Sequence, residues 1–179
     1  MSHTFVAMLR GVNVGAHNRI KMPALQQLFV DLGHSDVVTF IQSGNVVFKS
    51  RSKREITLAR NVEKRIASDL GCDVSVLLRT KEELAAVVKA NPFAKQKADP
   101  KHLHVTFLAE EPDAALVRAV KEFDAGNDEF VVRGRDVYLH CPSGYGNTKI
   151  NNGFFEKRLE TLATTRNWNS VTKLLELAG

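Results

Sequence analysis

The stretch Val37–Lys49, VVTFIQSGNVVFK, sets the frame for the rest of the chain. Two runs rich in β-branched and aromatic residues, Val37–Gln42 and Val46–Lys49, flank Ser43-Gly44-Asn45. Such runs read as strands, and Gly and Asn are what a tight hairpin turn demands. Working upstream, Thr4–Leu9 is a short β-rich run, a first strand. A helix begins near Pro23, a residue favoured in a first helical turn. Leu25, Leu28, Phe29 and Leu32 follow at helical spacing, and Gly33 ends the helix. Working downstream, a second helix is expected over Lys53–Leu70, with Ile56, Ala59, Val62, Ile66 and Leu70 on its apolar face and Gly71 as its stop. Val74–Leu78 is a fourth strand. The order β-α-β-β-α-β is that of the ferredoxin-like plait.

Beyond it, Thr80-Lys81-Glu82-Glu83 has the form of a capping box and opens a helix through Leu84, Val87 and Val88. Asn91-Pro92-Phe93 ends that helix, since the residue before a proline avoids the helical region. Ala94–Lys101, rich in Lys and Ala, reads as a linker. The order of elements then repeats. Leu103–Leu108 is a strand, and Pro112 starts a helix with Leu116, Val117, Val120 and Phe123 on one face. Phe130–Arg133 and Val137–Cys141 are strands joined by Gly134-Arg135-Asp136. Phe155, Leu159 and Leu162 mark another helix, Thr164–Asn167 a short strand, and Ser170–Leu177 a last helix. The expectation is an α+β protein of two tandem ferredoxin-like plaits packed together, with added helices. Its parts are 1–80, a connecting helix and linker at 81–101, and 102–179 with the C-terminal helix. Strands of the first unit are apolar on both faces: Val6 and Met8 face away from Phe5, Ala7 and Leu9. A plait has helices on one face only, so the second unit is expected to cover the other.

The apolar fraction of 44% and the charged fraction of 25% are those of an ordinary globular protein. No apolar run approaches the ~20 residues of a membrane helix, and the N-terminal MSHTFVAMLRG does not read as a secretory signal. Cys72 and Cys141 lie far apart in apolar contexts and read as buried thiols, so the expected compartment is the cytoplasm. The net charge of +5 is uneven. Residues 1–80 carry 11 Lys and Arg against 6 Asp and Glu, while 81–179 carry 14 of each. The excess therefore lies in the first half, where it suits either an anionic partner or a solvated basic helix face.

The polar loop Leu9–Met22, LRGVNVGAHNRIKM, follows the first strand. In this topology the first and second strands run parallel, so that loop and the Gln42–Asn45 turn meet at one edge. The loop is neither a GxxxxGK[ST] phosphate loop nor a GxGxxG dinucleotide loop. It reads either as an anion cradle of backbone amides with Arg10, Asn18, Arg19 and Lys21, or as a connector whose glycines satisfy turn geometry. Ser43 lacks the GxSxG frame of a nucleophile elbow. His102, His104 and His140 could approach one another as zinc ligands, but alternating histidines on a half-exposed strand are commonly surface residues, and no metal is assigned. An RNA-recognition plait needs aromatics that Asn45-Val46-Val47-Phe48 supplies only once. Trp168 reads as an anchor for the last helix, and Ser143–Lys149 as a glycine-bearing turn that could also hold an anion.

The runs LRGVNVGAHNRIKMPALQQLFVDLG, TFIQSGNVVF, NPF and TTRNWNSVTKLLEL, in this order, resemble the bacterial domain-of-unknown-function 1697 family. That family is known for two ferredoxin-like units in tandem and has no settled activity. By motif position the resemblance implies site residues Arg10, Gly11, Asn13, Lys21 and Met22, then Gln42, Ser43, Gly44 and Asn45, then Lys149, Arg166, Asn167 and Trp168. Ala16-His17 and Asn147-Thr148 depart from the expected pattern, which weakens a fixed-geometry phosphate site. The functional expectation is an anionic, phosphate-bearing or nucleotide-like small molecule bound at the loop–turn edge. Nucleic acid on the basic first half, or a non-enzymatic partner-binding module, is the alternative. No acid, base or nucleophile constellation names a reaction, no cofactor motif is present, and the oligomeric state is not written in the sequence.

Overall fold

The computed structural model of the protein describes residues 1–179. The chain divides into two compact units, Met1–Ala85 with Lys173–Gly179, and Ala86–Thr172. In the first unit the elements are β1 (His3–Arg10), α1 (Met22–Asp31), β2 (Ser35–Phe40), β3 (Asn45–Ser50), α2 (Glu55–Leu70) and β4 (Ser75–Thr80). The sheet order is β2-β3-β1-β4, antiparallel throughout, with Val6 opposite both Val47 and Arg79. This is the ferredoxin-like plait. α1 contributes Leu25, Leu28 and Phe29 and α2 contributes Leu58, Val62 and Ile66 to a core built on Phe5, Ala7, Leu9, Val46 and Phe48. At its centre Phe48 packs on Phe5 at 5.7 Å and edge-on to Phe29 at 5.0 Å between ring centroids. On the opposite face of the sheet Val6, Met8, Val47 and Leu77 are buried as well.

The helix α3 (Lys81–Ala90) leads out of β4. A one-turn helix α4 (Pro92–Lys95) and a 3₁₀ turn at Pro100–His102 follow it. The second unit repeats the plan with β5 (Leu103–Leu108), α5 (Ala114–Lys121), β6 (Glu129–Arg133), β7 (Asp136–His140), α6 (Asn152–Leu159) and β8 (Ala163–Asn167), in sheet order β6-β7-β5-β8. Its core joins Leu108, Val137, Leu139 and Ala163 of the sheet to Val120, Phe155 and Leu159 of the helices. The last helix is α7 (Trp168–Leu177), and both α3 and α7 straddle the division between units. The C-terminal seven residues thus group with the first unit, where the sequence places all of 102–179 in the second.

Other differences have local causes. The stretch expected as a bare linker is structured at its start, because Asn91 Oδ1 accepts from the Phe93 and Ala94 N–H groups and caps α4. Ile56 is 70% exposed and not part of the α2 stripe. Leu58, Val62 and Ile66 recur every four residues and share one side, so Ile56, two residues before Leu58, points away. Leu162 lies outside α6, which stops when Glu160 adopts a left-handed conformation at φ +54°.

The last strands of the two units share one residue-level feature. Arg79 and Arg166 are the penultimate residues of β4 and β8, and both are buried. In each, Nη1 donates to the carbonyl of the preceding residue, Leu78 at 2.9 Å and Thr165 at 3.0 Å. In each, the next side chain caps a helix. Thr80 Oγ1 accepts from Glu83 N–H at 3.1 Å, and Glu83 Oε2 accepts from Thr80 N–H at 2.9 Å, a complete capping box. Asn167 Oδ1 accepts from Ser170 N–H at 2.8 Å.

Candidate functional site

The loop after β1 and the β2–β3 turn meet. β1 delivers Arg10 at its end, and Gly11 at φ +78° turns the chain out of the sheet. Asn13, at φ +54°, then locks the loop. Its Nδ2 donates to the Gln42 carbonyl at 2.7 Å and to the Ile20 carbonyl at 3.0 Å, and its Oδ1 accepts from Ile20 N–H at 2.9 Å. Asn13 N–H donates to the Asn18 carbonyl at 3.0 Å. Asn18, also at positive φ, ties the loop to the Asp73 and Gly11 carbonyls at 3.3 and 3.4 Å. Val12 and Ile20 are buried beneath this frame.

On the turn side, Leu9 N–H donates to the Gly44 carbonyl at 2.8 Å. Gly44 lies at φ +81°, and a Cβ there would come within 2.5 Å of Val12 Cγ2 and 2.9 Å of Leu9 Cβ. Its role is close packing of turn on loop. At Gly11 a Cβ would meet nothing within 4 Å, so the backbone there faces open space. Asn45 is fully buried, opposite Met8 in the register. Its Nδ2 donates to the Phe40 carbonyl and to Ser43 Oγ, both at 3.0 Å, which shapes the turn from inside. Gln42 is exposed and offers its backbone carbonyl to Asn13.

The amides of Asn13 and Asn45 are thus donors within the frame. Two cations of the loop, Arg19 and Lys21, are not used in this way. Arg19 and Lys21 are exposed on the loop, and their side chains make no hydrogen bond or ion pair with the protein. Lys21 serves only through its carbonyl, which accepts from Leu25 N–H at the start of α1, and Met22 is the first helical residue. The exposed Asp73 carboxylate is the acidic neighbour, beside the carbonyl that receives Asn18.

The remaining sequence-derived candidates lie in the second unit and its exit into α7. Lys149 is exposed in the segment before α6, next to Thr148, whose hydroxyl donates to Asp128 Oδ2 at 2.6 Å. Arg166 Nη1 donates to Thr164 Oγ1 at 2.7 Å as well as to the Thr165 carbonyl. Burial pushes its guanidinium down to about 10, opposed by the Tyr145 phenol, so it remains a cation at neutral pH. Asn167 is the cap of α7, and Trp168 is the buried first residue of that helix. His104 stacks on Tyr145 at 4.8 Å between ring centroids, whereas His140 Nδ1 lies 3.1 Å from Glu129 Oε2. His102 and His140 are neighbours at 6.4 Å, so the histidines do not converge as one ligand set.

The model of the family described as proteins of unknown function (DUF1697) matches residues 2–138. The chain belongs to this family. No curated protein matches this DUF1697 chain. Among solved structures, a conserved bacterial protein from Streptococcus pneumoniae is similar at TM-score 0.81 and 23% identity, over 100% of both chains. At that identity the likeness concerns the fold.

In this DUF1697 protein, reading the sequence missed Arg79, the first-unit counterpart of Arg166. The signal was present as Arg79-Thr80 and Arg166-Asn167, each a basic residue followed by a helix-capping one. Arginine on a strand is ordinarily expected at the surface, and both of these are buried. No helix is long and apolar enough to cross a membrane.

Proposed function

We propose that the first unit binds an anionic small molecule, phosphate-bearing or nucleotide-like, at the edge formed by the Arg10–Met22 loop and the Gln42–Asn45 turn. The observation that carries this reading is a contrast within one loop. Its backbone path is fixed by Asn13 and Asn18, yet the guanidinium of Arg19 and the ammonium of Lys21 are unengaged. Because the backbone is already fixed, an arriving anion has only the two side chains to order and not the loop as well, which removes the loop-ordering part of the binding cost. Gly11 leaves the backbone open to an oxyanion, and Arg10 stands at the strand end beside it. The uneven charge of the chain supports the same sign of ligand, since the excess of Lys and Arg over Asp and Glu falls within residues 1–80.

The test is thermal unfolding of the wild type and of the Arg19→Ala/Lys21→Ala double variant with inorganic phosphate, ATP, AMP and a short RNA. A ligand that binds only the folded state stabilises it by about 2.7 kcal/mol at a hundredfold excess over its dissociation constant. A rise in melting temperature with phosphate or nucleotide, lost in the double variant, is the expected result. No rise with any of them would sink the reading. Stabilisation by RNA alone, falling steeply with salt, would replace it with the nucleic-acid alternative.

A further inference from the structure

A second feature of the first unit lies at the other end of its sheet. β1 runs from His3 to Arg10, and the loop–turn edge is at its C-terminal end. At its N-terminal end a cavity of about 560 Å³ opens between the α1–β2 connection, the end of β3 and α2. That is within the size range of small-ligand pockets, roughly 300–1,000 Å³. Eleven residues line it, none of them acidic.

Four of the polar side chains around this cavity, Arg51, His34, Ser35 and Asn61, have no hydrogen-bonding or ionic partner in the protein. Arg51 is exposed and its guanidinium makes no hydrogen bond or ion pair. The imidazole of His34 touches only rings, Phe48 at 4.7 Å and Phe29 at 6.0 Å, and its nitrogens have no protein partner. The side chains of Ser35 and Asn61 likewise have none. Ser50, buried to 6% exposure, accepts from Ser52 N–H at 3.2 Å, and Ser52 accepts from Arg54 N–H at 3.2 Å. Each hydroxyl therefore keeps its proton to donate. Lys49 is held by Asp36 at 2.6 Å, a pair that is largely exposed and weak enough to admit a competing anion.

An array of guanidinium, imidazole, hydroxyl and amide donors with no carboxylate among the lining residues is suited to a tetrahedral oxyanion, and arginine binds phosphate in bidentate fashion. We propose that this cavity is a binding site for a phosphate monoester of a small molecule. Arg51 and Lys49 take the phosphate, Ser50, Ser52 and Asn61 complete its shell, and Leu32 and Leu58 meet the organic part. The site is independent of the loop–turn edge, and either can fail without the other.

The experiment is an amide chemical-shift titration of the full-length protein with inorganic phosphate and with glycerol 3-phosphate at constant ionic strength. The expected result is saturable shifts at Gly33, Ser35 and Ser50–Ser52. Glycerol 3-phosphate should bind more tightly than phosphate, and Arg51→Ala should weaken it at least tenfold while leaving the spectrum of the free protein otherwise intact, since a charge-assisted hydrogen bond is lost. Arg19→Ala/Lys21→Ala should leave these shifts unchanged. Shifts confined to Gly11–Lys21 and Gln42–Asn45, shifts at the cavity that survive Arg51→Ala unweakened, or no saturable shift at all would each overturn the proposal.

Discussion

Replacing Gly44 by alanine isolates the contact that holds the β2–β3 turn on the loop after β1. Two costs are separable. Gly44 sits at φ +81°, where a Cβ is strained by about 1–2 kcal/mol. The new methyl would also press on Val12 Cγ2 at 2.5 Å and Leu9 Cβ at 2.9 Å, distances that neighbours must open. Both atoms belong to buried side chains, and forcing an extra methyl into a packed site costs about 1–3 kcal/mol. The sum is about 2–5 kcal/mol. Gly15→Ala is the matched control, because Gly15 lies at φ +68° with nothing within 4 Å of its would-be Cβ, leaving the strain alone. Urea denaturation of the two variants should place Gly44→Ala below Gly15→Ala by the packing term. Amide exchange at Leu9, whose N–H donates to the Gly44 carbonyl, should accelerate in Gly44→Ala only. Equal losses in the two variants, with Leu9 still protected, would refute the close packing of turn on loop.

The other predictions concern the frame, the caps and the alkaline limit. Asn13→Ala removes three hydrogen bonds and should cost about 1–3 kcal/mol, with Ile20 N–H exchanging faster, whereas Asn13→Asp keeps the acceptor for Ile20 and should protect it. Thr80→Ala and Asn167→Ala each remove a helix cap and should cost about 1 kcal/mol in urea titrations, Thr80 at α3 and Asn167 at α7. Burial, with a smaller contribution from the Asp128 carboxylate, pushes the Cys141 thiol from 9 up to about 11, against the neighbouring Thr148 hydroxyl, which pulls it down. Between those values the folded chain keeps a proton that the unfolded chain has lost, so stability should fall as pH rises from 9 towards 11. Cys141→Ala should flatten that slope in denaturation midpoints measured against pH.

The plait was legible because its signals are local and periodic. The Val37–Lys49 hairpin, the Gly33 and Gly71 stops and the Thr80–Glu83 capping box are each written in adjacent residues. From the topology alone followed the meeting of loop and turn, now seen as the 2.7 Å bond from Asn13 to the Gln42 carbonyl. What the sequence hides is which polar groups the fold consumes. Asn13 and Lys21 look equally available on paper, yet the fold uses the Asn13 amide as a staple and leaves the ammonium of Lys21 unengaged. Partner choice depends on the path of the loop, which no spacing rule encodes. Ile56 illustrates the same limit on a helix, where two overlapping apolar stripes compete and packing decides in favour of Leu58, Val62 and Ile66. The cavity beside Arg51 was invisible for a third reason. Its residues come from separate segments, and only the fold brings Gly33–Ser35, Lys49–Ser52 and Asn61 around one space.

The function proposed for the first unit requires that the cations of its first loop take an anion. Isothermal calorimetry of ATP into the wild-type protein and into Lys21→Ala, at fixed ionic strength, measures this most directly. A saturable heat in the wild type and an affinity about tenfold lower in Lys21→Ala is the predicted result, the loss expected when one charge-assisted contact goes. Superimposable isotherms for the two proteins, or no heat of binding in either, would contradict it.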